Sequence, residues 1–267
     1  MHRFLAVHSL LAMAALLAAD PAHGRATASA TLADFRIELS DLDPSDGVAP
    51  SLMLDPGSRS VVEITLPSDV ESHASQGDSA FGPVSTSREI DGSWGSASFS
   101  GDPFGAGAVI AASAVGDHGG GATSDATVDG PASAIHLGDF VLGPQSQVTF
   151  SGSASLDWYV SNPRTSTYAV VGATFLQFID GAYRSVGQDY LSTSYIGFGE
   201  PTGTLSGPIE LSFANASDAS VVVIYSLGVG ADAGDMQIDP LPVDEPAVAV
   251  LLLAGVPWLL WRARRRR

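Results

Sequence analysis

Three carboxylates crowd one short stretch of the chain, Asp41-Leu42-Asp43-Pro44-Ser45-Asp46-Gly47. Clustered carboxylate oxygens suit a hard cation such as calcium, and glycine permits the bend that such a loop needs. An EF-type loop sets its acidic oxygens at the first, third and fifth places with glycine sixth. Here the last acid stands where that glycine belongs and Gly47 follows it. Asp-Pro and Asp-Gly are also turn signals. The expectation is a turn closing a strand with no metal bound, and Asp41, Asp43 and Asp46 are the residues that would hold a cation if one were taken up.

Other residue types capable of chemistry are scattered. His73, His118 and His136 are the histidines beyond the first thirty positions, and His118 lies among Asp117, Asp125 and Asp129 in a glycine-rich segment. A metal centre needs fixed, convergent ligands, which such a segment supplies poorly, so His118 is read as solvated. A glycosidase needs two carboxylates across a cleft. Asp157, Asp180, Glu200 and Glu210 are available, but no spacing selects a pair. The chain has no cysteine and no G-x-S-x-G element beside a histidine, so thiol and triad nucleophiles lack support. No catalytic residue and no cofactor are expected, and the protein is read as non-enzymatic. A sugar-binding surface, the alternative reading, would expose Trp158, Tyr159 or Tyr195 for stacking. Trp158 shares its strand face with Val148 and Phe150 and is read as core.

The net charge is −17, and all twelve basic residues are arginine. Arg262, Arg264, Arg265, Arg266 and Arg267 crowd the carboxyl end, so the rest is more acidic still. Such a surface repels phosphate backbones and argues against nucleic acid as a partner, while divalent cations and neutral polymers such as glycans remain compatible, and solubility alone accounts for the charge.

Both ends read as export signals. Arg3 precedes an apolar run from Phe4 to Ala19, then Asp20 and Pro21 and small residues, the pattern of a secretory signal peptide over 1–28. Small residues at the third and first places before a cut occur at Ala22/Gly24, Ala26/Ala28 and Ala28/Ala30, which places cleavage after about 24–30. At the other end Val243-Asp244-Glu245-Pro246 leads into an apolar run over 247–261 and then the arginines. At about 1.5 Å per residue this run reaches roughly 22 Å, a marginal transmembrane helix with its arginines held at the cytoplasmic side.

A Glu-Pro pair, a short apolar helix and a terminal arginine cluster behind a signal peptide together resemble the PEP-CTERM sorting signal, over 243–267. Val243, Glu245 and Pro246 match its Val-Pro-Glu-Pro core, and Asp244 departs from it. The opening LSDLDPSDGVAPSL is also similar to openings of uncharacterised members. The resemblance implies an exosortase-type processing enzyme as partner and transient residence in the inner membrane. It further implies delivery to the cell surface or medium of a Gram-negative bacterium that makes exopolysaccharide, and association with that polymer or a biofilm.

The elements that carry these residues are strands. From Gln147 to Val160, Val148, Phe150, Gly152, Ala154, Leu156, Trp158 and Val160 alternate with polar positions. Phe35, Ile37 and Leu39 alternate likewise, as do Val62, Ile64 and Leu66. Tyr168 to Ile179 and Ser220 to Val229 are apolar on both faces, as central strands are. Ile209 to Phe213, a turn at Asn215 to Asp218 and the run Val221 to Leu227 read as a hairpin. Gly116 to Gly130 and Ser68 to Ser87 are poor in bulky residues and read as loops. The expected architecture is all-β, one antiparallel sandwich of jelly-roll type over 31–240.

Overall fold

The computed structural model describes residues 25–66, 73–116, 122–129, 138–161, 165–196 and 202–235. Among them the chain forms strands and no helix: β1 (Ala26–Asp41), β2 (Leu52–Leu54), β3 (Arg59–Thr65), β4 (His73–Gln76), β5 (Val84–Ile90), β6 (Ser93–Asp102) and β7 (Gly107–Gly116). There follow β8 (Ala122–Asp129), β9 (Gly138–Leu142), β10 (Ser146–Val160), β11 (Thr165–Ile179), β12 (Ala182–Ile196), β13 (Thr202–Asn215) and β14 (Val221–Asp235). The first sheet has the order β13-β10-β1-β7-β6-β5, and the second β12-β11-β14-β8-β3-β4, with β9 on the remaining length of β14 and β2 beside β9. Every pair is antiparallel. The chain is an antiparallel β-sandwich.

The pairing is nested. β11 pairs with β12, β10 with β13, and β9 with β14, alternating between the sheets as a long hairpin folded over itself would. β1 closes the first sheet by lying between β10 and β7.

β10 keeps the expected register: Val148, Phe150, Ala154, Leu156 and Val160 are buried between the sheets. Trp158 lies on that inner side at its end and is half-buried, with its ring against Gly203 of β13, where a Cβ would stand 2.2 Å from the indole. Phe35 and Ile37 are buried as expected, but Leu39 is exposed where β1 runs out. β1 also reaches upstream of the expected body start at Thr31, with Ala26, Ala28, Ala30 and Leu32 buried. A bulge marked by Asp34 at φ 52° moves the inward phase from Leu32 to Phe35.

Four expectations are corrected. The Ile209 and Val221 runs are not a hairpin, because β13 lies in the first sheet and β14 in the second. The connecting turn is fastened by the buried Asn215 side chain, which donates to the carbonyls of Gly143 (2.7 Å) and Ala219 (2.9 Å). The Gly116–Gly130 segment is not wholly loop: β8 lies between β14 and β3, since ladder hydrogen bonds need no bulky side chain. β4 and β5 likewise occupy part of the Ser68–Ser87 stretch. Finally β11, although flanked on both sides, presents one apolar face to solvent, with Tyr168 and Phe178 exposed.

Between the sheets the core is an aromatic cluster. Phe150 meets Phe35, Phe175 and Tyr225 edge to face, and Phe140 and Phe81 also pack on Tyr225. Edge-to-face rings align the positive ring edge with the negative face of the neighbour. Small residues on β1 and β7 (Ala112 and Ala114 among them) let the flanking regions close.

Candidate functional site

The outer face of the first sheet is built from the residues that alternate with this core. At one end, the cross-strand row runs Trp94 (β6), Val115 (β7), Thr27 (β1), Tyr159 (β10), Thr202 (β13). The next row is Ser96, Ser113, Ser29, Asp157, Thr204. Paired residues share a face, so Trp94 and Tyr159 stand on the same side, three strands and roughly 14 Å apart. The floor between them is valine, serine and threonine.

An open cleft of about 360 Å³ lies here, lined by the outward residues Thr27, Ser29, Ser113, Val115, Asp157, Tyr159, Thr202 and Thr204 and by Ala28, Ala114, Trp158 and Gly203 between them. Tyr159 is 44% exposed. The Thr204 hydroxyl donates to the Asp157 carboxylate at 2.6 Å, which fixes that acceptor at the cleft's edge. The Trp158 indole N–H, beneath the cleft, has no hydrogen-bond partner. The arrangement offers flat rings, many hydroxyls and one oriented carboxylate: it can stack and hydrogen-bond a polyhydroxylated ligand.

The other expected residues fall elsewhere. Asp41, Asp43 and Asp46 form the turn after β1, each spending an oxygen on a backbone N–H two residues on: Asp41 on Asp43 (2.9 Å), Asp43 on Ser45 (3.1 Å) and Asp46 on Val48 (2.6 Å). The Ser45 hydroxyl, then its amide, hold the Asp43 carboxyl below its usual range. Among the described residues no three His, Cys, Asp or Glu side chains group to hold a metal. Asp157 and Glu210 lie on neighbouring strands, but Asp157 pairs with Thr204, six residues from Glu210. That separates them by roughly 20 Å, beyond the ~5–9.5 Å of a glycosidase pair. Asp180 sits in the β11–β12 turn of the other sheet.

Glu200, His118, His136, the sorting residues Val243, Glu245 and Pro246, and Arg262, Arg264, Arg265, Arg266 and Arg267 lie outside the described residues, as does the expected span 247–261. The side chains of His73 and Tyr195 do too. Among the described residues no helix is long and apolar enough to cross a membrane.

A second polar group lies where β2 turns into β3. The Asp55 amide donates to the Asp139 carbonyl (3.1 Å), which brings the two aspartates side by side. Burial, then the charge of Asp55, raise the Asp139 carboxyl above its ordinary value. Nearby Tyr225 is buried over Gly138, with its phenol pushed up by burial and then by Asp139 and Asp55. The Ser58 hydroxyl works in the opposite direction, yet neither it nor the Tyr225 hydroxyl reaches hydrogen-bond geometry with a partner.

No family model matches the chain, and no curated protein does. Among solved structures, a family 11 carbohydrate-binding module from Clostridium thermocellum, in complex with a β-1,3-1,4-mixed-linked tetrasaccharide, is a distant neighbour. It shares 10% identity, with 63% of this chain and 95% of that one covered, at a TM-score of 0.11. A likeness at that score carries no argument about this chain, so the site rests on its own geometry.

Sequence reasoning found Tyr159 and Asp157 but missed Trp94. Alternation within β10 decides which side Tyr159 faces. Only the strand order places Trp94 on the same row.

Proposed function

We propose that the chain is an exported, non-enzymatic surface or matrix protein whose sandwich, of jelly-roll topology, holds a neutral polysaccharide on the outer face of its first sheet. The observation that carries this is the row on which Trp94 and Tyr159 flank Val115 and Thr27, with the serine row beside it. Sugar rings offer apolar faces to aromatic planes and hydroxyls to serine, threonine and Asp157. The nested pairs β9–β14, β10–β13 and β11–β12, with β1 supplying the strand between β10 and β7, support the jelly-roll reading. The acidic balance argues for a neutral polymer rather than an anionic one.

Delivery follows the ends of the chain. The signal peptide directs export, the apolar run 247–261 halts in the inner membrane, and an exosortase-type enzyme acts at Val243, Glu245 and Pro246 before the protein reaches the surface or medium. Retention of the purified protein on immobilised exopolysaccharide from its own host tests the binding. Retention that survives molar salt and falls about tenfold in Tyr159→Ala and in Trp94→Ala is the expected outcome. An unretained wild-type protein would overturn the reading.

A further inference from the structure

We propose that the outer face of the second sheet is a further polysaccharide-binding face, so that one molecule bridges two polymer chains; this rests on the reading just given for the first sheet. Tyr168 and Phe178 of β11 and Tyr190 of β12 stand on this surface, 43%, 61% and 62% exposed. They share a side because Tyr190 pairs with Gly172, which keeps phase with Tyr168 along β11, and Phe178 pairs with Tyr183 across the same ribbon. Tyr168 and Gly172 are four residues apart, roughly 13 Å along the strand, and Phe178 lies roughly 20 Å beyond. The rings form a track along the ribbon.

Between the two tyrosines the surface is low. Tyr190 stands beside Gly172, where a Cβ would meet its own at 3.2 Å. The row continues to Gly228 of β14, and the next row runs Ser192, Val170, Gly230. A chain of flat rings laid along β11 thus meets an aromatic plane at each end, with Val170, Thr174 and Leu176 between them and the surface lowest at the Gly172 row. The Phe178 and Tyr183 rings pack edge to face at 5.1 Å, which holds that end of the track in one geometry.

Charge selects the occupant of this face. Asp232, exposed and paired with Tyr168, and Glu63 of β3 put carboxylates on this face. They accept sugar hydroxyls but repel an anionic polymer or another copy of this acidic chain. The two faces look in opposite directions from one sandwich, so a single polymer chain does not reach both, and occupancy of both ties two chains together.

The test compares the full mature chain with Tyr159→Ala, the double variant Tyr168→Ala/Tyr190→Ala, and all three changes combined. Soluble hydroxyethylcellulose, dextran and the host's own exopolysaccharide serve as probes. The exposed tyrosines lie outside the core, and circular dichroism melts check that each variant is folded. Expected are a rise in polymer viscosity with wild type, loss of that rise in either face variant with binding weakened about tenfold but still measurable through the remaining face, and loss of binding in the triple variant. Binding abolished by Tyr159→Ala alone would overturn the second face and leave the first standing. No binding by wild type would overturn the reading on which both depend. Viscosity that tracks a dimer seen by sedimentation, and is unchanged in Tyr168→Ala/Tyr190→Ala, would also overturn the proposal, because bridging would then come from a second copy.

Discussion

Phe150 of the first sheet and Phe175 of the second meet edge to face with ring centroids 4.9 Å apart. The contact joins the two layers at the middle of the aromatic cluster. Phe150→Ala removes a ring that touches Phe35, Phe140, Phe175 and Tyr225. It should cost on the order of 3–5 kcal/mol in urea unfolding, because the sheets cannot collapse onto the void. Phe178→Ala should change stability by less than about 1 kcal/mol, since its ring is exposed. Equal losses at the two positions would contradict the inner and outer phases assigned to β10 and β11.

Those phases show how far the sequence could be read. The Val148-to-Val160 alternation was legible because one side of β10 is apolar and the other is not. β11 was not, because Tyr168 and Phe178 make its solvent face look like a core face, and hydropathy cannot tell a buried ring from one left open to a ligand. The upstream half of β1 was hidden for a different reason. Its inward residues are Ala26, Ala28 and Ala30, too small to register as a core pattern, and the bulge at Asp34 breaks the two-residue period before Phe35. β8 was missed because glycine, serine and aspartate around it signal a loop, while its place depends on β14 and β3 offering it edges. Trp94 and Tyr190 joined the sites through strand order alone.

The start of β1 distinguishes among the cuts that the proposed export would use. Arg25 is tied to Ser161 by two bonds, its amide to the serine hydroxyl (2.7 Å) and its carbonyl from the serine amide (2.9 Å). Ala26, Ala28 and Ala30 then pair with Val160, Trp158 and Leu156. Cleavage after Gly24 leaves the strand whole, whereas cleavage after Ala28 or Ala30 strips buried ladder positions. If the proposed export holds, intact-mass measurement of the mature protein should place its first residue at Arg25. A first residue at Ser29 or Thr31 would mean that the mature sheet forms without the start of β1.

Calcium should stabilise the protein little. Selective binding raises stability by RT ln(1 + [L]/Kd), and Asp41, Asp43 and Asp46 already spend oxygens on local amides. A thermal melt in millimolar calcium should shift by less than about 2 °C, the change expected from well under 1 kcal/mol in a chain of this size. A rise of several degrees that Asp43→Ala removes would show that the turn reorganises around the ion.

Asp139 should withdraw stability from the fold as pH rises past the ordinary carboxylate range. Its pKa is raised in the folded state above the ordinary 3.8, by burial first and then by the charge of Asp55. The folded protein therefore binds this proton more tightly than the unfolded chain does. By linkage the contribution is fully present below about pH 3.8 and is lost as pH rises through the folded value. Asp139→Asn resembles the protonated form, keeps an N–H donor toward Asp55 and cannot ionise. Urea midpoints between pH 3.5 and 7.5 should show the variant more stable than wild type at neutral pH, with the difference closing toward the acid end. The opposite slope, with the variant weaker at neutral pH, would show that an ionised Asp139 is favourably held in the fold and that Asp55 is not its dominant neighbour.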